Sequence, residues 1–404
     1  MTFDQLIHQP QLLSNIQAQG FLHATEIQAN AIPVILTGMD LMAGAQTGSG
    51  KTAAFALPII EQLLKTQTQP IGLSCSALIL APTRELACQI QTAIEGFITN
   101  TELRLAIAIG GAPIEPQIEA LKPGVDILVA TPGRLLDLNR KGKVTLKNCQ
   151  HLVLDEADRL LDLGFMEELQ AIVKKLPKSR QTLLFSATFD PLLYRFAGRL
   201  LNKPKVLQVS VNQSNQDIEQ KLFEVDPEKQ QAACLSLLKR NDWSQVLVFA
   251  RKKEQADKFA QKIIDAGISC QPLHGDLTQA KRDKVINEFR EANLRVLVAT
   301  DVAARGLDIP QLPCVINLNL PFRVEDFVHR VGRTGRNGNK GYAISFYSSE
   351  DARLLEDIEQ LLDVRLPKQW LPGFEPDLMR ADMAPKTASK AAIKKRARRK
   401  ALKK

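Results

Sequence analysis

Aromatic side chains are scarce here: 5% of 404 residues, with two tryptophans and three tyrosines. That argues against a ligand grip built on rows of stacked rings. Long apolar runs are missing too, since none approaches the ~18 residues a membrane helix requires. The opening Met1-Thr2-Phe3-Asp4 has neither the basic nor the apolar region of a secretory signal, so the cytosol is the expected compartment. The six cysteines (Cys75, Cys88, Cys149, Cys234, Cys270 and Cys314) form no CxxC spacing, which leaves free thiols as the expectation. Acid is absent from residues 384–404, which hold ten Lys or Arg; the remainder has 43 basic and 44 acidic residues. The net charge of +9 therefore belongs to a tail. Such runs repel themselves, stay disordered and bind polyanions.

What the chain has is a recurring alternation of short apolar runs and helical patterns. Runs at 77–80, 126–130, 152–154 and 182–185 lack polar alternation, as do 246–249, 296–299, 315–319 and 343–346. This is the pattern of parallel strands covered on both faces. Helical stretches at 53–64, 84–97 and 159–175 lie between them. Repeated βα units predict an α/β fold of two open parallel sheets with right-handed crossovers. The polar stretch 209–217, after Pro204, predicts a short linker between residues 1–208 and 218–375, with residues 376–404 as the basic disordered tail.

Three stretches carry chemistry. Ala45-Gln46-Thr47-Gly48-Ser49-Gly50-Lys51-Thr52 fits a phosphate-cradling P-loop. Gly48 and Gly50 let backbone amides turn toward phosphate oxygens. Lys51 reaches the β- and γ-phosphates, Thr52 offers its hydroxyl to Mg²⁺, and the next helix points its dipole at the anion. Asp155-Glu156-Ala157-Asp158 comes directly after the apolar run 152–154, which puts carboxylates at a strand's C-terminal tip. There Asp155 can hold Mg²⁺ and Glu156 can orient a water. Arg330, Arg333 and Arg336 recur every third residue about 280 positions after the P-loop. They read either as a solvated basic face or as arginines that reach the nucleotide across a domain boundary. Together the three stretches indicate an ATP-driven motor or switch.

With these motifs in hand the chain resembles the DEAD-box ATP-dependent RNA helicases of superfamily 2, over roughly residues 3–350. The likeness rests further on Ala81-Pro82-Thr83-Arg84-Glu85-Leu86, Gly110-Gly111, Thr131-Pro132-Gly133-Arg134 and Ser186-Ala187-Thr188. It also rests on His274-Gly275-Asp276-Leu277 with Gln279 and Arg282, and on Ala299-Thr300-Asp301 through Arg305-Gly306-Leu307-Asp308. The resemblance implies two RecA-like parallel-sheet domains and an adenine-recognising segment within residues 1–29. In that segment Phe21 would stack on the base, Gln28 would read its edge and Thr25 would support the loop. Both prolines usual to it are replaced, at Ala24 and Glu26, which predicts a less rigid loop.

The same resemblance implies further roles. Gln46, Thr47, Gly48, Ser49, Gly50, Lys51 and Thr52 would hold ATP, with Asp308 at its ribose and Thr52 and Asp155 at the magnesium. Lys51, Asp155, Glu156, Arg333 and Arg336 would be the catalytic set. A single-strand RNA track would run over Pro82, Thr83, Arg84, Gly110, Gly111, Thr131 and Arg134. It would continue over Arg251, Gly275, Gln279, Thr300 and Asp301. Asp158, Ser186, Thr188 and His329 would couple the two sites. Such residue types bind phosphate, so the grip should be sequence-independent and salt-sensitive, without base stacking. ATP and RNA would close the domains, bend one strand and open a short duplex, with release after hydrolysis. A compact core with a short basic tail resembles bacterial members that act on ribosomal RNA, ribosome assembly or RNA decay. An ATP-gated RNA clamp with little unwinding and a DNA helicase of the same superfamily remain as alternatives.

Overall fold

The computed structural model describes residues 1–45, 49–66, 70, 72–189, 191–208, 218–304, 312–335, 340–362 and 364–377. The expected linker and basic tail, along with Gln46, Thr47, Gly48, Asp308 and Arg336, lie outside these residues or, for the tail, almost entirely so.

Seven parallel strands form the first sheet: β1 (Leu41–Gly44), β2 (Cys75–Leu80), β3 (Leu105–Ala108), β4 (Val125–Ala130), β5 (His151–Leu154), β6 (Gln181–Ser186) and β7 (Lys205–Gln208). Their order across the sheet is β3-β4-β2-β5-β6-β1-β7. The second sheet contains β8 (Ile218–Glu224), β9 (Val246–Ala250), β10 (Cys270–Leu273), β11 (Val296–Thr300), β12 (Cys314–Asn317), β13 (Gly341–Tyr347) and β14 (Lys368–Trp370). Its order is β10-β11-β9-β12-β13-β8-β14, the order of the first sheet strand for strand, and it too is parallel.

Helices cover both faces of each sheet. Along β2, Ala77 and Ile79 enter one core, while Leu78 and Leu80 enter the core on the opposite face. In β9, Val246 and Val248 likewise face one cluster and Leu247 and Phe249 another. Every such large apolar side chain stabilises the fold by about 1.5–3 kcal/mol on burial, which fixes strand register, because a one-residue slip exchanges the faces.

One helix expectation needs correction. Residues 159–175 do not form a single helix; they form two, Ala157–Asp162 and Met166–Val173. Gly164 separates them with φ of 84°, a left-handed conformation that ends the first helix and redirects the chain.

Candidate functional site

The loop after β1 sets one side of the site. Gly50 has φ of 91°, and the helix Lys51–Thr66 begins immediately after it. A Cβ on Gly50 would lie 2.3 Å from Gln28 Nε2, so both the backbone conformation and the space demand glycine. The preceding helix, Glu26–Leu36, starts with a capping box between Thr25 and Gln28. That box is also tied to the loop: Thr25 Oγ1 donates to Ser49 O (2.8 Å) and Gln28 Nε2 to Gly50 O (3.1 Å). Gln28 Oε1 accepts from Thr25 N at 2.9 Å, so both ends of this buried amide are used within the protein. Each end of the amide still has a second site, since its nitrogen carries two N–H groups and its oxygen two lone pairs. Phe21 is half-buried, with its ring between those of Phe3 (6.3 Å) and Phe97 (5.8 Å). The N-terminal segment is thereby packed against the helices that flank the loop, and His8 N donates to the fully buried Glu61 at 2.9 Å.

At the tip of β5 three carboxylates are buried together: Asp155, Glu156 and Asp158. Glu156 holds φ 49° and ψ 54°, a left-handed conformation that costs a non-glycine residue about 1–3 kcal/mol and marks functional sites. Asp155 accepts a bond from Glu156 N at 3.0 Å. Burial pushes its carboxyl up to about 6, partly opposed by Lys51 and reinforced by Glu156 and Asp158. Lys51 Nζ donates to Ala45 O at 2.9 Å, folded back along its own loop. A buried, electron-rich carboxylate beside a lysine is a site that gains from a further cation. No cluster of three or more His, Cys, Asp or Glu side chains that could cage a metal occurs among the described residues. Thr52 and Asp155 carry the hydroxyl and carboxylate oxygens that would suit a Mg²⁺, a cation that takes only one or two protein carboxylates beside phosphate.

Asp158 behaves oppositely. Burial raises its carboxyl, yet His329, Lys51 and the hydroxyls of Thr188 and Ser186 together bring it below the ordinary carboxylate value. Thr188 supplies two bonds to Asp158 Oδ2, from its N (3.1 Å) and Oγ1 (2.9 Å), while Ser186 Oγ donates to Thr188 O at 2.8 Å. His329 Nε2, from the second domain, stands 3.9 Å from the same oxygen. The other three expected coupling residues thus gather around the buried Asp158 carboxylate.

Expected track residues of the first domain are also brought together. Arg84 Nη1 lies 2.6 Å from where a Cβ on Gly111 would be, and Gly111 has φ of 69°. Gly110 N donates to Thr131 Oγ1 (3.3 Å), and Arg134 Nη2 to Ala112 O (3.0 Å). Thr83 caps the helix Arg84–Phe97 through Leu86 N (3.2 Å), just after Pro82. Arg84 Nε and Arg134 Nη1 are buried without a hydrogen-bond partner within the protein.

In the second domain the arrangement is more committed. Arg251 donates to Leu320 O (2.6 Å) and pairs with Asp351 (2.9 Å). Gln279 Nε2 donates to Asp283 (2.7 Å), and Gly275 has open space where a Cβ would stand. Thr300 ends β11. Arg330 bonds both carboxylate oxygens of Asp301, at 2.6 and 2.7 Å. Arg330, in turn, is not an exposed finger. It is 1% exposed, bonded also to Asn317 and Asn319, and stacked on Phe249 at 5.0 Å, because a buried guanidinium needs such neutralisation. Arg333 is also buried and remains the one described arginine of the expected catalytic pair.

Three further side-chain connections join the two domains. Arg282 pairs with Glu85 at 2.9 Å, Arg159 Nη2 donates to Val302 O at 3.1 Å, and Arg323 pairs with Asp162. Arg282 and Glu85 both lie in stretches that carry the family resemblance, whereas nothing local in the sequence marks Arg323 and Asp162 as partners.

The first domain matches the family described as DEAD/DEAH box helicase over residues 25–195, and residues 228–338 match the helicase conserved C-terminal domain. The ATP-dependent RNA helicase RhlB of Pseudomonas syringae pv. tomato is 42% identical over 372 residues, covering 90% of this chain and 93% of that protein. Human probable ATP-dependent RNA helicase DDX46 is 41% identical over 360 residues, 87% of this chain; there the chain spans only about a third of the relative's length, 35%. Among solved structures, S. cerevisiae Dbp5 bound to RNA and ADP BeF3 is similar with a TM-score of 0.81 and 31% identity, over 91% of this chain and 95% of that one. With one relative matched almost end to end, and with a repeated sheet whose first copy alone carries the P-loop and the buried Asp155-Glu156 pair, the chain belongs to the DEAD-box helicase family.

Proposed function

We propose that this chain is an RNA-dependent ATPase that clamps single-stranded RNA on ATP binding, opens short duplexes locally and lets RNA go after hydrolysis. The observation that carries this reading is the convergence on Asp158. Thr188, just beyond β6, and His329, from the other domain, meet a carboxylate three residues from Asp155. A change in how the domains approach is thereby felt at the hydrolytic carboxylates. Residues 1–208 and 218–375 act as the two jaws, with 209–217 between them.

In this reading Lys51, Ser49, Gly50 and Thr52 bind the triphosphate, together with Gln46, Thr47 and Gly48. Phe21, Thr25 and Gln28 sit against its base, with Asp308 at the ribose. Mg²⁺ at Thr52 and Asp155 supplies charge neutralisation of the phosphates when bound. Glu156, held in its left-handed conformation, orients the attacking water. Arg333 and Arg336 come from the second domain, so the catalytic set is complete only when the jaws close. ATP and RNA both bind the closed form better and shift the population toward it.

The RNA lies across Pro82, Thr83, Arg84, Gly110, Gly111, Thr131 and Arg134, and then Arg251, Gly275, Gln279, Thr300 and Asp301. The Arg282–Glu85 pair adjoins both halves of that path. Relatives named as RNA helicases favour RNA over DNA as the polymer; as the setting we propose ribosomal RNA, ribosome assembly or RNA decay in the cytoplasm. The test is steady-state ATP hydrolysis without nucleic acid, with single-stranded RNA and with matched DNA, using Glu156→Gln as the blank. Stimulation by RNA alone supports the reading. Equal stimulation by DNA replaces it with a general nucleic-acid helicase.

A further inference from the structure

The expected RNA track visits the segments that leave the C-terminal ends of β10, β11 and β9, three adjacent strands of the second sheet. The next strand in that row is β12, and the segment leaving it carries Phe322. Of the chain's 16 phenylalanines, all within the described residues, this is the only one among the exposed large apolar side chains, at 68% exposed. Its ring is not loose. The Arg251 guanidinium lies over it, 4.9 Å from the centroid, and is itself fixed by Leu320 O at 2.6 Å and Asp351 at 2.9 Å. The adjacent residue, Arg323, reaches across to Asp162 of the first domain, so Phe322 stands where the two domains meet.

From this juxtaposition we infer that Phe322, backed by Arg251, is a base-stacking platform on the RNA path, taking one unpaired nucleobase. This inference rests on the proposed RNA-binding function. A guanidinium stacked on one side of a ring leaves the other free for a second flat π-system. Every base presents such a face, so the platform adds affinity without adding sequence preference. It also adds a grip that salt does not weaken, unlike the phosphate contacts of the rest of the track. The sequence alone points the other way, because no aromatic lies within the track motifs; Phe322 is 71 residues from Arg251 and only the fold brings them together.

The test is the affinity of the full chain, with a non-hydrolysable ATP analogue, for a short uridine-rich single strand and for a series in which each position in turn is abasic. Wild type should lose about five- to twentyfold at one position of the series. Phe322→Ala should bind the intact strand weaker by a similar factor and be indifferent to the abasic change at that position. Phe322→Trp should behave as wild type, and Phe322→Leu, apolar but without a π-face, as the alanine variant. If wild type binds RNA yet has no abasic-sensitive position, or if Phe322→Ala retains full affinity, the platform is wrong and the RNA-binding reading stands. If wild type does not bind the strand at all, both fall.

Discussion

The two domains share one strand order and differ at the ends of equivalent strands. After β1 comes the Gly-rich loop with Lys51; after its counterpart β8 comes Val225-Asp226-Pro227-Glu228-Lys229, with no glycine to cradle a phosphate. After β5 come the buried Asp155 and Glu156; after its counterpart β12 comes the exposed Phe322. In the proposed reading the same scaffold thus builds a half that binds nucleotide and a half that completes its site. What makes each half is the loop at the carboxyl end of a strand, not the sheet.

The largest expected break in this asymmetry is catalytic. Removing the proposed water-orienting carboxylate by Glu156→Gln should lower kcat by about 10²–10⁴ while ATP binding persists, as read by single-turnover hydrolysis and nucleotide titration. Arg333→Ala, on the other domain, should lower kcat by about 10³ or more with RNA affinity kept. Survival of activity in that variant would mean the second domain contributes no charge to the reaction.

The next effect is on stability. Asp155 has a folded-state pKa of about 6, raised from 3.8 by burial. Its contribution to stability is intact below the unfolded value and is lost as pH rises through the folded one. Above pH 7 the nucleotide-free chain thus carries a cost of about 3 kcal/mol at this residue. Asp155→Asn should stabilise that form in urea unfolding at pH 8 by up to about that amount, and by little at pH 4, while abolishing ATP hydrolysis. A gain of the same size at both pH values would show that the charge is not its origin.

Thr188→Val removes one hydrogen bond from the buried Asp158, with an expected cost of about 1–3 kcal/mol to the first domain. The pKa of Asp158 should rise toward its ordinary value, and RNA stimulation of hydrolysis should fall more than the basal rate. The smallest effect concerns the ion pair between Arg323 and Asp162, worth about 0.2–1 kcal/mol at its partial exposure. Arg323→Asp should weaken ATP-dependent RNA binding a fewfold, and Asp162→Arg in the same chain should restore it.

Much of this is legible in the sequence, for a definable reason. The P-loop, the Asp155–Asp158 stretch and the strands of branched apolar residues are local patterns, and a local pattern survives without its tertiary partners. β1, Leu-Met-Ala-Gly, is hard to see because it has no β-branched residue; β7 is largely exposed and stands on backbone pairing to β1. The helical pattern over 159–175 runs too long because Gly164 can sit in a helix pattern, while its left-handed turn is decided by packing. Arg330 looks like Arg333 in spacing; that it is buried against Asp301 is a property of the fold. Contacts between distant loops, such as Phe322 with Arg251 and Arg323 with Asp162, have no local signature at all.

The most direct test of the two-jaw account is the dissociation rate of single-stranded RNA from Glu156→Gln in the presence of ATP, compared with wild type. The account requires the variant to hold RNA far longer than wild type, and to release it normally when ATP is replaced by ADP. Equal release from both proteins in ATP would contradict it.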